Sequence, residues 1–356
     1  MSIAVLAITG GGVRTGRKLC SSIAGFELYV SRRYAGDGGD DCRRFEPAEL
    51  KELIATLWGQ YDGFVLIMAT GIVVRMIAPL LRSKETDPAV VVMDDAGKFA
   101  ISLLSGHLGG ANELAERCAF AVGARAVITT ATDANGLPSF DMLAQEQGWI
   151  IDDISRVKTL NTLLLDNEEI AVVDPTGQTR IWLHGRGKIT FFETFAQAVA
   201  SPSRGFLFIT NRDLPQQTKP DRLLILRPRN LVLGIGCNRG TPAAEIEAFV
   251  TLQLKRLFLS PKSVQCIASV AAKRDEEGLI DCAARFGVPL RFFESDELNR
   301  VPCPSPPSAH ALAAVGTAGV AEPAALLASG GGRLLLHKVK SANVTLAVAE
   351  VQRGEP

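Results

Sequence analysis

The chain has 356 residues, its 38 Lys+Arg balanced by 38 Asp+Glu, with 47% hydrophobic and 6% aromatic residues. That length suits two or three domains, each large enough for its own core. Zero net charge and few aromatics argue against nucleic acid held by bulk charge or base stacking, and no segment offers the ~20 predominantly apolar residues of a membrane span.

In chain order, short apolar runs alternate with helix-like spacing. Ile3–Ile8, Phe64–Ala69, Ala89–Met93, Phe99–Leu104, Ala126–Thr130, Ala171–Val173, Phe206–Ile209 and Leu231–Ile235 read as buried strands. Pro47–Trp58, Gly110–Ala121 and Phe140–Gln147 read as helices between them. Fully apolar strands alternating with helices predict an α/β chain of two or three three-layer α/β/α domains with mainly parallel sheets. The polar, proline-bearing stretch at 211–222 marks the main boundary, and a weaker break falls near 133–138. The expected domains are 1–136, a central 137–222 and a C-terminal 223–356. Residues 34–47, rich in Gly and Asp, read as a loop, and 301–308, with four prolines, as a stiff one. The opening segment reads as a strand and not a secretory leader. Seven cysteines (20, 42, 118, 237, 266, 282 and 303) without a C-x-x-C fit reduced thiols, and with four scattered histidines no zinc pattern arises. A cytoplasmic protein without a resident metal is expected.

Strand-to-helix loops carry ligands in α/β proteins, and four of them invite a reading. Thr9-Gly-Gly-Gly-Val-Arg-Thr-Gly-Arg-Lys18 looks like a phosphate loop, but Arg17 and Lys18 stand where Walker chemistry needs Lys then Ser/Thr, and Thr15 replaces the third dinucleotide glycine. A tight turn with a basic helix start is favoured, with anion binding by its amides left open. Next, Thr70-Gly71 lead into Arg75, and Lys84 follows. Arg75 either holds a ligand carboxylate by its fork or pairs with Asp87.

The third loop, Ser105-Gly-His-Leu-Gly-Gly-Ala-Asn112, places His107 in a glycine-flanked turn. Gly106, Gly109 and Gly110 would let a ligand approach backbone amides closely. His107 is either a ligand or catalytic group or merely structural, and Asn112 either caps or binds. Fourth, Gly236-Cys-Asn-Arg-Gly-Thr241 offers an anion loop with Arg239, Thr241 as N-cap and Pro242 at the first helical position. Cys237 is favoured as a packing residue over a nucleophile, since no base is near in sequence. Glu322, Lys338 and Lys340 near the end read as solvated charges.

Together MATGIVVRMIAPLLRSKETDPAVVVMDDAG, FAISLLSGHLGGANELAERCA, GIGCNRGTPAAEI, GTAGVAEPAALL and LLLHKVKSANVTLAVA resemble the CbiG family of anaerobic cobalamin biosynthesis. SGHLGGAN and GCNRGT in one chain and in this order are specific, and about 137–228 matches as the family's variable middle. The resemblance implies a cobalt-precorrin-5A hydrolase, which opens the lactone of the ring-contracted macrocycle and releases acetaldehyde to give cobalt-precorrin-5B. It implies a substrate that brings its own cobalt, so no separate cofactor, and transient contact with other corrinoid-pathway enzymes. On chemical grounds, Arg75, Lys84 and Arg239 suit the macrocycle's carboxylates, His107 is the candidate base for water, and glycine-loop amides the oxyanion donors. An interdomain cleft would suit so wide a substrate. A non-enzymatic corrinoid carrier and a nucleotide-dependent enzyme using residues 9–18 are the competing readings.

Overall fold

The computed structural model describes residues 1–34, 42–83, 86–214 and 221–351. They divide into two compact units, Met1–Met142 and Leu143–Pro356.

In the first unit, β1 (Ile3–Ala7), β2 (Phe26–Ser31), β3 (Arg43–Phe45), β4 (Gly63–Ile67), β5 (Ala89–Met93), β6 (Phe99–Leu104) and β7 (Arg125–Val127) form one sheet in the order β3-β2-β1-β4-β5-β6-β7. Alternate residues of the central strands enter two cores. Ile3, Val5, Ile67 and Met93 pack with Leu19 and Leu114 on one face; Ala4, Leu6, Phe64 and Val92 pack with Ile54 and Val73 on the other. That double burial is why these strands read as unbroken apolar runs. β1 to β5 run parallel.

The exception positions the site. β5 turns into β6 through a hairpin, where the Asp94 carboxylate accepts the amides of Ala96 (3.1 Å), Lys98 (2.9 Å) and Phe99 (2.7 Å). β6 therefore pairs antiparallel to β5, and β7 follows β6 in parallel. The last two strands run against the other five, so the loops after β6 and β7 emerge at the edge where β1, β4 and β5 begin.

The helix start expected at 9–18 forms, with its glycines inside the helix rather than in a turn before it. Gly10–Gly12 open the helix Gly10–Ser22, with Thr9 as N-cap accepting the Gly12 amide at 3.0 Å. The Asp95 carboxylate lies 2.9 Å from where a Gly11 Cβ would stand, so the protein's own acid fills this helix end. Thr70 and Gly71 likewise begin the helix Thr70–Ile77. The expected loop at 34–47 contains β3 and a 3₁₀ turn at Pro47–Glu49; its 35–41 portion lies outside the described residues.

The second unit holds two more sheets. β8 (Ile150–Ile151), β9 (Ile170–Val173), β10 (Ile189–Phe192), β11 (Gly205–Ile209) and β12 (Leu223–Arg227) are ordered β10-β9-β11-β12-β8, parallel except for β8. The expected cut after residue 222 would sever this sheet, because β12 pairs with β11. β13 (Leu231–Cys237), β14 (Val264–Val270), β15 (Leu290–Phe293), β16 (Arg333–Lys340) and β17 (Val344–Glu350) are ordered β15-β14-β13-β17-β16, with β17 antiparallel to both neighbours. The chain is thus α/β, with three mostly parallel sheets.

Candidate functional site

The reversed β6 ends in the turn that carries His107. Ser105 adopts a left-handed φ of 57°, and its hydroxyl donates to the Asp87 carbonyl at 2.9 Å. A side chain at position 109 would place its Cβ 2.3 Å from that of Ser105, so only glycine closes the turn. Gly110, at φ 82°, starts the helix Ala111–Val122. Within the turn the Gly110, Ala111 and Asn112 amides donate to the carbonyls of His107, Ser105 and Gly106. The amides of Gly106, His107 and Gly109 take no partner among the described residues.

β7 delivers the second half. Beyond its end, Thr130 precedes the helical turn Ala131–Ala134, which places Asp133 against the histidine. His107 Nε2 lies 2.9 Å from Asp133 Oδ2 and 3.3 Å from the Thr132 hydroxyl. His107 Nδ1 lies 3.2 Å from the Ser139 hydroxyl and 3.5 Å from Asp141 Oδ2. Ser139 in turn donates to Asp141, and Thr130 to Asp133. Asn112 braces the group: its amide nitrogen donates to Thr130 Oγ1 (3.0 Å) and Asp133 Oδ2 (3.1 Å), and its carbonyl accepts from Ser102 (2.7 Å).

Electrostatics follow from this enclosure. The hydrogen bond with Asp141 is the main cause holding the His107 pKa above its ordinary value; burial opposes it, and Asp133 reinforces it. Burial would raise the Asp141 carboxyl, but bonds from His107 and Ser139 outweigh that and hold it low. Each ring nitrogen of His107 already faces a carboxylate, Nε2 that of Asp133 and Nδ1 that of Asp141. Asn112 is likewise consumed within the network.

The other expected residues lie apart. Thr70, Gly71 and Arg75 follow β4, at the sheet edge opposite the His107 turn. Arg75 Nη1 donates to the Gly71 carbonyl at 2.9 Å. It does not pair with Asp87, whose buried carboxylate accepts the Arg82 amide at 3.0 and 3.1 Å. Lys84 lies outside the described residues.

In the second unit, the loop after β13 is already braced by its own acids. Arg239 grips Asp275 at 2.9 and 3.4 Å, and the Gly240 amide donates to Glu276 at 2.6 Å. Asn238 joins Asn343 at 2.9 Å between backbones and 3.0 Å between side chains. Thr241 is not the N-cap: its hydroxyl donates to the Asn238 carbonyl at 2.8 Å, and the helix Ala243–Arg256 starts after Pro242. Burial pushes the Cys237 thiol up, so it stays protonated as a packing residue. The adjoining groove of about 590 Å³ is lined by Asp275, Glu276, Glu277 and Asp281 besides Arg239, a poor match to a polycarboxylate as it stands.

Glu322 was expected to be solvated and is instead buried. It accepts from the Cys303 thiol (3.1 Å), Ser305 (2.8 and 3.1 Å), His337 Nδ1 (3.2 Å) and the Lys338 amide (3.0 Å). Burial would raise this carboxyl, but those donors bring it down to about 2. Sequence reasoning also missed Asp133, Asp141, Thr130 and Ser139. Only Asp133 lay in the stretch read as a break; Thr130 closed an expected strand and Asp141 lay in an expected helix, so nothing in the spacing linked them to His107.

The chain matches three family profiles in succession: Cobalamin synthesis G N-terminal over residues 52–133, Cobalamin biosynthesis central region over 138–228, and Cobalamin synthesis G C-terminus over 231–349. It is 37% identical to the cobalt-precorrin-5A hydrolase of Priestia megaterium, across 97% of this chain and 94% of that protein. With the cobalt-precorrin-5A hydrolase of Salmonella typhimurium it shares 33% identity, across 98% and 97% of the two chains. A shorter match, 36% identity over 33% of this chain and 79% of the relative, is to protein CobE of a Sinorhizobium species. Likeness at this level along nearly the whole length, with the profiles in unbroken order, makes the chain a member of the CbiG family.

Proposed function

We propose that this chain is a cobalt-precorrin-5A hydrolase. Water opens the lactone of the ring-contracted macrocycle, and cleavage of a carbon–carbon bond then releases acetaldehyde to leave cobalt-precorrin-5B. The observation that carries this reading is the likeness to two cobalt-precorrin-5A hydrolases over at least 97% of this chain. The His107 turn is the hydrolytic centre in this reading. Its unpartnered amides at Gly106, His107 and Gly109 suit a developing oxyanion. An open cavity of about 500 Å³ with Trp58, Tyr61 and Gly109 in its wall adjoins the turn.

Cobalt enters within the substrate, and the chain needs no resident cofactor. Lys84 is the cation proposed for the macrocycle's carboxylates; Arg75 lies at the opposite sheet edge from the His107 turn and Arg239 in the other unit, so neither is assigned to this centre. The protein would work in the cytoplasm beside the enzymes that make and consume its corrinoids; no described helix is long and apolar enough to cross a membrane. Anaerobic incubation with cobalt-precorrin-5A, trapping acetaldehyde while the corrinoid spectrum is followed, tests the proposal. Release over many turnovers is expected, and stoichiometric binding without acetaldehyde would instead describe a carrier.

A further inference from the structure

Around His107 the network is buried on every side but one. The Asp141 side chain is 8% exposed and that of His107 17%, whereas Asp133 is 45% exposed. Asp133 also divides its two oxygens. Oδ2 accepts His107, Asn112 and Thr130 together, while Oδ1 takes no partner among the described residues. A carboxylate pinned by three donors through one oxygen and open through the other is held in a fixed direction without losing its capacity to accept a proton. Purely structural ion pairing would not require that opening.

Resting on the hydrolase reading, we infer that Asp133 is the catalytic base for water and that His107 and Asp141 are positioning residues behind it. As the water oxygen bonds to the lactone carbonyl carbon, one water proton passes to Asp133 Oδ1 and the carbonyl π pair moves to its oxygen. Collapse of the tetrahedral adduct reforms the carbonyl and breaks the acyl carbon–oxygen bond. The departing alkoxide takes the proton back from Asp133. Water and lactone give a carboxylic acid and a hydroxyl, with no net oxidation or reduction. The His107 ring, facing Asp141 on one side and Asp133 on the other, keeps Oδ2 in place.

The test uses the full-length protein and acetaldehyde release, with corrinoid binding measured spectroscopically. Asp133→Asn is expected to lower kcat by about 100-fold or more while binding persists. Asp133→Glu, which keeps the charge but displaces the carboxylate, should lose about 10-fold or more. Asp141→Asn should move the alkaline limb of the kcat profile to lower pH, because the imidazolium loses its strongest support and deprotonates sooner; loss of a merely structural contact would leave that limb in place. Wild-type kcat in folded Asp133→Asn, or in Asp133→Glu should the amide variant not fold, overturns the assignment of Asp133. An unmoved limb in Asp141→Asn overturns the positioning role. A wild-type protein that binds the corrinoid and releases no acetaldehyde removes the hydrolase reading, and the inference falls with it.

Discussion

Glu322 illustrates how a single buried carboxylate can order several segments at once. The register of β16 against β17 shifts between Leu336 and Val339, which takes the Lys338 amide out of the ladder. Glu322 accepts that amide and, through the same side chain, ties in Cys303 and Ser305. Its folded pKa of about 2 lies below the ordinary 4.5. The stability it contributes is therefore full above the unfolded value and is lost as pH falls from about 4.5 toward 2. Glu322→Gln should lower stability at pH 7 by about 1–3 kcal/mol and flatten the acid dependence in that window, as read by denaturant midpoints at stepped pH. An unchanged acid profile would show that the carboxylate does not carry this linkage.

At the scale of elements, what was legible depended on burial. Strands buried on both faces, such as Gly63–Ile67 and Ala89–Met93, stand out as apolar runs because nothing polar can enter them. The edge strand and its neighbour do not: Arg43–Phe45 is three residues with two exposed arginines, and Phe26–Ser31, beside it, carries an exposed Glu27. The direction of a strand is written in its connection, here a short Asp-based hairpin, and apolar content says nothing of it. That is why the His107 turn was legible from its glycines while its partners were not. Asp133 lies 26 residues further along and meets His107 only because β6 and β7 are both reversed. Asp94→Ala removes three acceptor bonds at the hairpin and should cost about 2 kcal/mol, with loss of the Asp133–His107 contact detectable as a lowered His107 pKa by NMR. An unchanged His107 titration would mean that the hairpin does not govern the site.

Across the whole molecule Lys+Arg and Asp+Glu are equal at 38 each. In the second unit the fully buried Arg227 of β12 donates to Asp152 Oδ2 at 3.1 Å, and Lys262 reaches the same carboxylate at 3.0 Å. Lys262 precedes β14, so this triad staples the central sheet to the C-terminal one. Removing the acid would leave a buried guanidinium short of its counter-charge, and Asp152→Ala should destabilise the second unit by about 3 kcal/mol. Calorimetry would read this as a lowered Tm; an unshifted Tm would show that the carbonyls of Thr210 and Arg212 suffice for Arg227.

The proposed chemistry of the whole chain comes down to water attacking a lactone, and the anaerobic incubation run in H₂¹⁸O tests it most directly. The product corrinoid should carry one heavy oxygen, in the carboxylate freed from the lactone, in step with acetaldehyde release. A corrinoid product without heavy oxygen, or acetaldehyde appearing while the lactone stays intact, would contradict it.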